Sequence, residues 1–124
     1  MKFMSMLLVA LLLSKSWAAN HGQTDDLNAQ SQHYIGCFTD NIELGRDLPV
    51  RAGLTTVTID SCKAACNKAS YKYAGLQYGS LCFCGHNYGN YSQVPDSDCN
   101  MPCTGNSTQF CGGLWRNSIY SVDF

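Results

Sequence analysis

Ile59-Asp60-Ser61-Cys62-Lys63-Ala64-Ala65-Cys66-Asn67-Lys68-Ala69, followed by Leu81-Cys82-Phe83-Cys84, decides the fold. The first segment predicts a helix over 59–69, because Ala and Lys dominate it and neither Gly nor Pro interrupts it. Thr58 is placed to cap it, and Asp60 suits the positive end of the helix dipole. Cysteines at i and i+4 share one helix face, about 6 Å apart along the axis. Cys82-Phe83-Cys84 reads as a strand, where residues at i and i+2 share a face about 6.6 Å apart. The matched spacings predict a helix stapled flat onto a strand through Cys62–Cys82 and Cys66–Cys84.

Such bridges need an oxidising compartment. Lys2 supplies a positive charge, Phe3 to Leu13 is apolar apart from Ser5, and Ser16-Trp17-Ala18 offers small residues for cleavage. Residues 1–18 therefore read as a secretory signal peptide. The apolar run is shorter than the roughly 20 residues of a membrane helix. All eight cysteines lie downstream of it. An even number in a short secreted chain implies a disulfide framework, although spacing alone leaves the connectivity open. A zinc site competes for such a set, but the C-x-x-C knuckles of structural zinc sites are absent. No metal or cofactor is expected.

Without the leader, six basic residues face nine acidic ones, a net charge of −3. That balance argues against nucleic acid and anionic membranes, which call for a basic footprint. Residues 19–33 are nearly all polar and predict a disordered lead-in, with His21 and His33 solvated. The globular part is then 34–124, a size at which cross-links offset a small core.

Along that domain, Tyr34 to Phe38 reads as a first strand and Thr39 to Thr56 mostly as loop. Tyr73 to Tyr78 and Leu81 to Cys84 read as a hairpin turning at Gly79-Ser80. Gly85 to Gly113 reads as irregular and covalently held, and Trp115 to Val122 as a last strand pairing with the first.

Tyr34-Ile35-Gly36-Cys37, Cys62-x-x-x-Cys66, Tyr73-Ala74-Gly75-Leu76-Gln77-Tyr78, Cys82-Phe83-Cys84-Gly85, Cys99-x-x-x-Cys103-x-Gly105-Asn106, Cys111-Gly112-Gly113 and Arg116-Asn117-Ser118-Ile119-Tyr120 together resemble a WSC domain. The ordered set covers 34–124 and every cysteine. The resemblance implies an α+β fold: a small disulfide-rich domain, its twisted antiparallel sheet carrying one main helix, similar to the PAN/apple architecture. It also implies the pairs Cys37–Cys99, Cys62–Cys82, Cys66–Cys84 and Cys103–Cys111. WSC domains occur in wall sensors, polysaccharide-associated enzymes and animal receptors, and bind carbohydrate where a ligand is known. A Ser/Thr-rich stalk, membrane helix or catalytic domain is not expected in this chain, so only the module's own binding carries over.

The expected function is a secreted, lectin-like module recognising an extracellular or cell-wall polysaccharide such as β-glucan. A protein-binding module is the alternative. A cysteine-stabilised αβ defence effector shares the C-x-x-x-C and C-x-C core, but such effectors are usually shorter and cationic. The oligomeric state is left open. Tyr78, Tyr88, Tyr91 and Trp115 are the candidate sugar platforms, since Tyr and Trp join an apolar face to a polar handle. Asn87 and Asp96 are candidate partners for sugar hydroxyls. Asn90-Tyr91-Ser92 and Asn106-Ser107-Thr108 are N-glycosylation sequons. No enzyme is expected. Asp96 and Asp98 read as solvated turn residues, and His86 has no nucleophile beside it.

Overall fold

The computed structural model describes residues 33–123. The proposed signal peptide and residues 19–32 of the lead-in lie outside them. In chain order come β1 Tyr34–Thr39, β2 Val50–Ala52, α1 Ile59–Lys68, β3 Tyr73–Gln77, β4 Leu81–Gly85, β5 Gln93–Val94, a 3-10 turn Asp96–Asp98, β6 Pro102–Cys103, β7 Asn106–Phe110 and β8 Arg116–Ser121. Six strands form one antiparallel sheet in the order β2-β4-β3-β8-β1-β5, and β6-β7 form a separate hairpin. The fold is α+β with one helix among the described residues.

Helix α1 starts where its chemistry dictates. Thr58 Oγ1 accepts from the Ser61 amide at 3.0 Å, and Ser61 Oγ accepts from the Thr58 amide at 2.9 Å. This reciprocal cap satisfies amides that have no partner within the helix. Ile59, Cys62, Lys63 and Cys66 form its buried face. Cys62 bonds to Cys82 and Cys66 to Cys84, with Cα separations of 5.6 and 5.3 Å. Cys37–Cys99 and Cys103–Cys111 are the other two bridges, and no described cysteine is free.

The sheet's alternation divides the core. Ala74, Leu76, Cys82, Cys84, Tyr120 and Val122 pack with Val57, Ile59, Cys62 and Cys66 of the helix side. Phe38, Phe83 and Ile119 pack with Leu48 on the opposite face. Gly75 and Gly85 make room for the Leu48 segment. A Cβ on Gly75 would lie 3.2 Å from Leu48, and one on Gly85 3.3 Å from its Cα. The loop between β1 and β2 thus roofs the face that the helix does not cover.

Several boundaries differ from the sequence reading. The hairpin loop is Tyr78-Gly79-Ser80, with φ 57° at Tyr78 and 73° at Gly79, so the turn starts one residue before the expected Gly79-Ser80 and Tyr78 leaves the strand. Trp115 likewise precedes β8. The stretch 85–113, read as irregular, contains β5, β6 and β7, and the loop 39–56 contains β2. These strands are mostly two or three residues long, too short for alternation to reveal. β8 does pair with β1, but it also pairs with β3, which makes it a central strand.

Candidate functional site

Two tight turns stand side by side at one end of the sheet. The first is Tyr78-Gly79-Ser80, and the second is Leu114-Trp115, closed by reciprocal amide–carbonyl bonds between Gly113 and Arg116 at 3.0 and 3.2 Å. The Tyr78 amide donates to the Gly113 carbonyl at 3.2 Å and joins them. Trp115 has φ 55° at a turn position that usually selects Gly or Asn. Tyr78 and Trp115 are therefore both bulky residues in the left-handed region. Strain of this kind persists only where surrounding structure imposes it.

The surroundings impose it through glycines that tolerate no side chain. A Cβ on Gly112 would lie 2.1 Å from the Leu76 carbonyl oxygen, and one on Gly113 2.2 Å from that of Asp98. Gly112 is itself at φ 73°. Cys111-Gly112-Gly113 is thus pressed against β3 and fixes where Trp115 emerges.

Between these turns and the roofing loop lies a groove of about 190 Å³, lined by Arg46, Gln77, Tyr78, Leu81, Leu114 and Trp115. Tyr78 is 51% exposed and Trp115 39%. The Arg46 guanidinium carbon sits 4.4 Å from the Phe83 ring centre and 5.5 Å from that of Trp115. Both distances fall within cation–π range. A buried carboxylate holds it there. Asp40 Oδ2 accepts from Arg46 Nη1 at 2.9 Å and from Gln77 Nε2 at 3.0 Å. Asp40 Oδ1 accepts from the Asp47 amide at 2.9 Å. Gln77 Nε2 also donates to Asn117 Oδ1 at 3.1 Å. Among the described residues, the Asn117 Nδ2 group is buried without a hydrogen-bond partner.

The structure brings together two of the six residues singled out from sequence, Tyr78 and Trp115. The Tyr88 ring meets Phe38 and Tyr73 edge-on, at 5.6 and 4.8 Å between centres, and packs over the second core cluster. Tyr91 donates its hydroxyl to the Gly45 carbonyl. Asp47 accepts from the Gly89 and Asn90 amides at 2.9 and 3.1 Å, which pins this loop to the roof. Asn87 is exposed in the same loop and does not line the groove. Asp96 accepts from the Tyr34 hydroxyl at 2.7 Å, away from the groove lining. Asp98 faces Arg116 Nε at 3.4 Å. Each of the two aspartates thus has its own partner. His86 stacks on Tyr71 at 4.7 Å.

Arg46, Gln77, Leu81, Leu114 and Asp40 were not legible as site residues. Gln77 carried one signal: strand alternation places it with Tyr73 and Gly75 on a face otherwise expected to be apolar. The sulfurs of Cys62, Cys66 and Cys82 lie within 4.8 Å of one another, but all three are in disulfides and hold no lone thiolate for a metal. The sequon residues Asn90 and Asn106 are both exposed.

Together these features define a class, a disulfide-stapled α+β module whose exposed groove carries aromatic and amide chemistry. The chain belongs to the WSC domain family, whose model matches residues 34–113. It is similar to a WSC domain-containing protein of Arthroderma benhamiae, at 42% identity over 90 residues, covering 71% of this chain and 10% of that protein. It is 38% identical over 94 residues to xylosyltransferase oxt of Drosophila melanogaster, covering 71% of this chain and 10% of that one. It is 40% identical over 91 residues to Kremen protein 1 of Xenopus laevis, covering 69% and 20%. The matched region is thus a small part of each relative. WSC domains are carbohydrate-binding-like modules, and the domain here is a small region, not a catalytic one. Among the described residues, no helix is long and apolar enough to cross a membrane.

Proposed function

We propose that this domain is a secreted lectin-like module that binds an extracellular or cell-wall polysaccharide such as β-glucan. The contact is the groove between Tyr78 and Trp115. The observation that carries this reading is the pair of exposed aromatics, both in left-handed turns, flanking an Arg46 that Asp40 immobilises. Flat rings offer apolar faces to the C–H faces of pyranoses, and Arg46 and Gln77 offer polar partners to hydroxyls. Binding at one such open surface is weak, because little area is buried and hydroxyls are desolvated. The protein is secreted by the signal peptide 1–18, and a disulfide-rich domain fits that location. At least one of the sequons at Asn90 and Asn106 carries a glycan in the secreted form made by a eukaryotic host. A mass unchanged by endoglycosidase, in protein from a eukaryotic host, contradicts that assignment.

The test is retention on insoluble β-glucan, xylan, chitin and cellulose. Retention that Trp115→Ala abolishes without lowering the thermal midpoint supports the reading. A correctly bridged protein retained on none of the four transfers the assignment to protein binding. The exposed apolar side chain of Leu44, which lines no depression, favours that second reading.

A further inference from the structure

We infer that the binding surface is bipartite, with a second subsite across Trp115 that takes the next rings of the same neutral glycan chain. This inference rests on the groove reading proposed above. Trp115 is a wall shared by two depressions. One is the groove already described. The other has a volume of about 310 Å³ and is lined by Asp40, Asn41, Ile42, Glu43 and Trp115. Small-molecule pockets occupy roughly 300–1,000 Å³. Both depressions lie at or below the bottom of that range, so neither encloses a ligand by itself. A ligand that spans both gains what neither supplies alone.

The chemistry of the second depression matches the rim of a pyranose. Asn41 Oδ1 accepts from the Glu43 and Leu44 amides at 2.8 and 3.1 Å. That engages its acceptor and leaves the Nδ2 group as a donor for a hydroxyl. Glu43 adds an exposed carboxylate acceptor, and Ile42, 60% exposed, adds an apolar surface beside Trp115. The Asp40 amide donates to the Trp115 carbonyl at 3.0 Å, so the two walls are joined through the backbone. Charge selects the ligand class. No basic residue lines the second depression, and Arg46 in the first is already paired with Asp40. A chain bearing carboxylates would meet Glu43 with nothing to neutralise it.

Titration calorimetry with β-1,3-linked glucose oligomers, from dimer to hexamer, tests this. Affinity is expected to rise about tenfold from dimer to hexamer, the gain of about 1.4 kcal/mol that a second weak subsite adds. In the Ile42→Ser/Glu43→Ala double variant the hexamer-to-dimer ratio is expected to fall toward one. A hexa-uronate is expected to bind more weakly than the neutral hexamer. Equal affinity for all lengths overturns the second subsite and leaves the groove reading standing. A length dependence that the double variant preserves overturns this placement, and a hexa-uronate that binds as tightly overturns the neutral class. Failure of every oligomer, with no retention on polysaccharide, overturns the groove reading as well.

Discussion

The backbone amide of Asp40 donates to the carbonyl oxygen of Trp115 at 3.0 Å, while the Asp40 carboxylate holds Arg46 2.9 Å away. One buried residue therefore fixes both the strained backbone of the exposed Trp and the cation beside its ring. Asp40→Asn keeps the shape but removes the charge that compensates Arg46. Removing one partner of a buried pair costs about 3–5 kcal/mol. Arg46 is partly solvated here, so a loss of about 2–3 kcal/mol is expected, read as a lower urea midpoint at unchanged m-value. An unchanged midpoint means that Arg46 is not held by this carboxylate.

Trp115 sits at φ 55°, where an L-residue is disfavoured by roughly 1–2 kcal/mol and glycine is not. Trp115→Gly should therefore be more stable than Trp115→Ala, by about 1 kcal/mol. Both should lose polysaccharide retention, because both lack the ring. An alanine variant more stable than the glycine variant contradicts the left-handed turn.

Gly112 and Gly45 both have positive φ, but only Gly112 is crowded by backbone. Gly45→Ala meets nothing within 4 Å, so it carries strain alone and should cost about 1 kcal/mol. Gly112→Ala must displace the Leu76 and Arg116 carbonyls and should cost more than about 3 kcal/mol. Thermal midpoints of the two variants decide this, and equal shifts contradict the packing of the Gly112-Gly113 turn.

Alkali should destabilise the fold through two tyrosines. Burial, aided by Asp96 and Asp60, pushes the Tyr120 hydroxyl from 10.0 up to about 12. Burial, then the bond donated to Asp96, raises Tyr34 as well. The folded state keeps phenolic protons that the unfolded chain releases above pH 10. The contribution is thus fully present below that pH and is lost as pH rises through the folded values. For Tyr120 the loss is on the order of 2–3 kcal/mol by pH 12. Urea midpoints measured between about pH 9 and about pH 11 should fall less steeply in Tyr120→Phe. Parallel curves for the two proteins contradict this origin.

What the sequence revealed was local. The Thr58 cap and the two staples follow from spacings within a helix and a strand, and both are present. The insertion of β8 between β1 and β3 was hidden, because it joins segments far apart in the chain. The aromatic site was half legible for the same reason. Tyr88 is exposed, as its polar neighbours suggest, but its ring leans on Phe38 and Tyr73, and Asp47 and Gly45, distant in sequence, tie its loop and Tyr91 down away from the groove. Trp115 and Tyr78 read as strand residues, since no local signal announces a bulky side chain at a left-handed turn. Asp40 and Arg46 looked like ordinary loop charges until the roof placed Arg46 over Phe83 and paired it with a buried Asp40.

The chain has two tryptophans, Trp17 within the proposed leader and Trp115 in the groove. Protein expressed from Ala19 therefore reports on the site through a single tryptophan, excited selectively over the tyrosines. The most direct test is its emission and acrylamide quenching during titration with soluble β-glucan, beside retention on the insoluble polymer. The account predicts a blue shift and protection from quencher that saturate with binding. Retention on polysaccharide with Trp115 emission and quenching unchanged would contradict it.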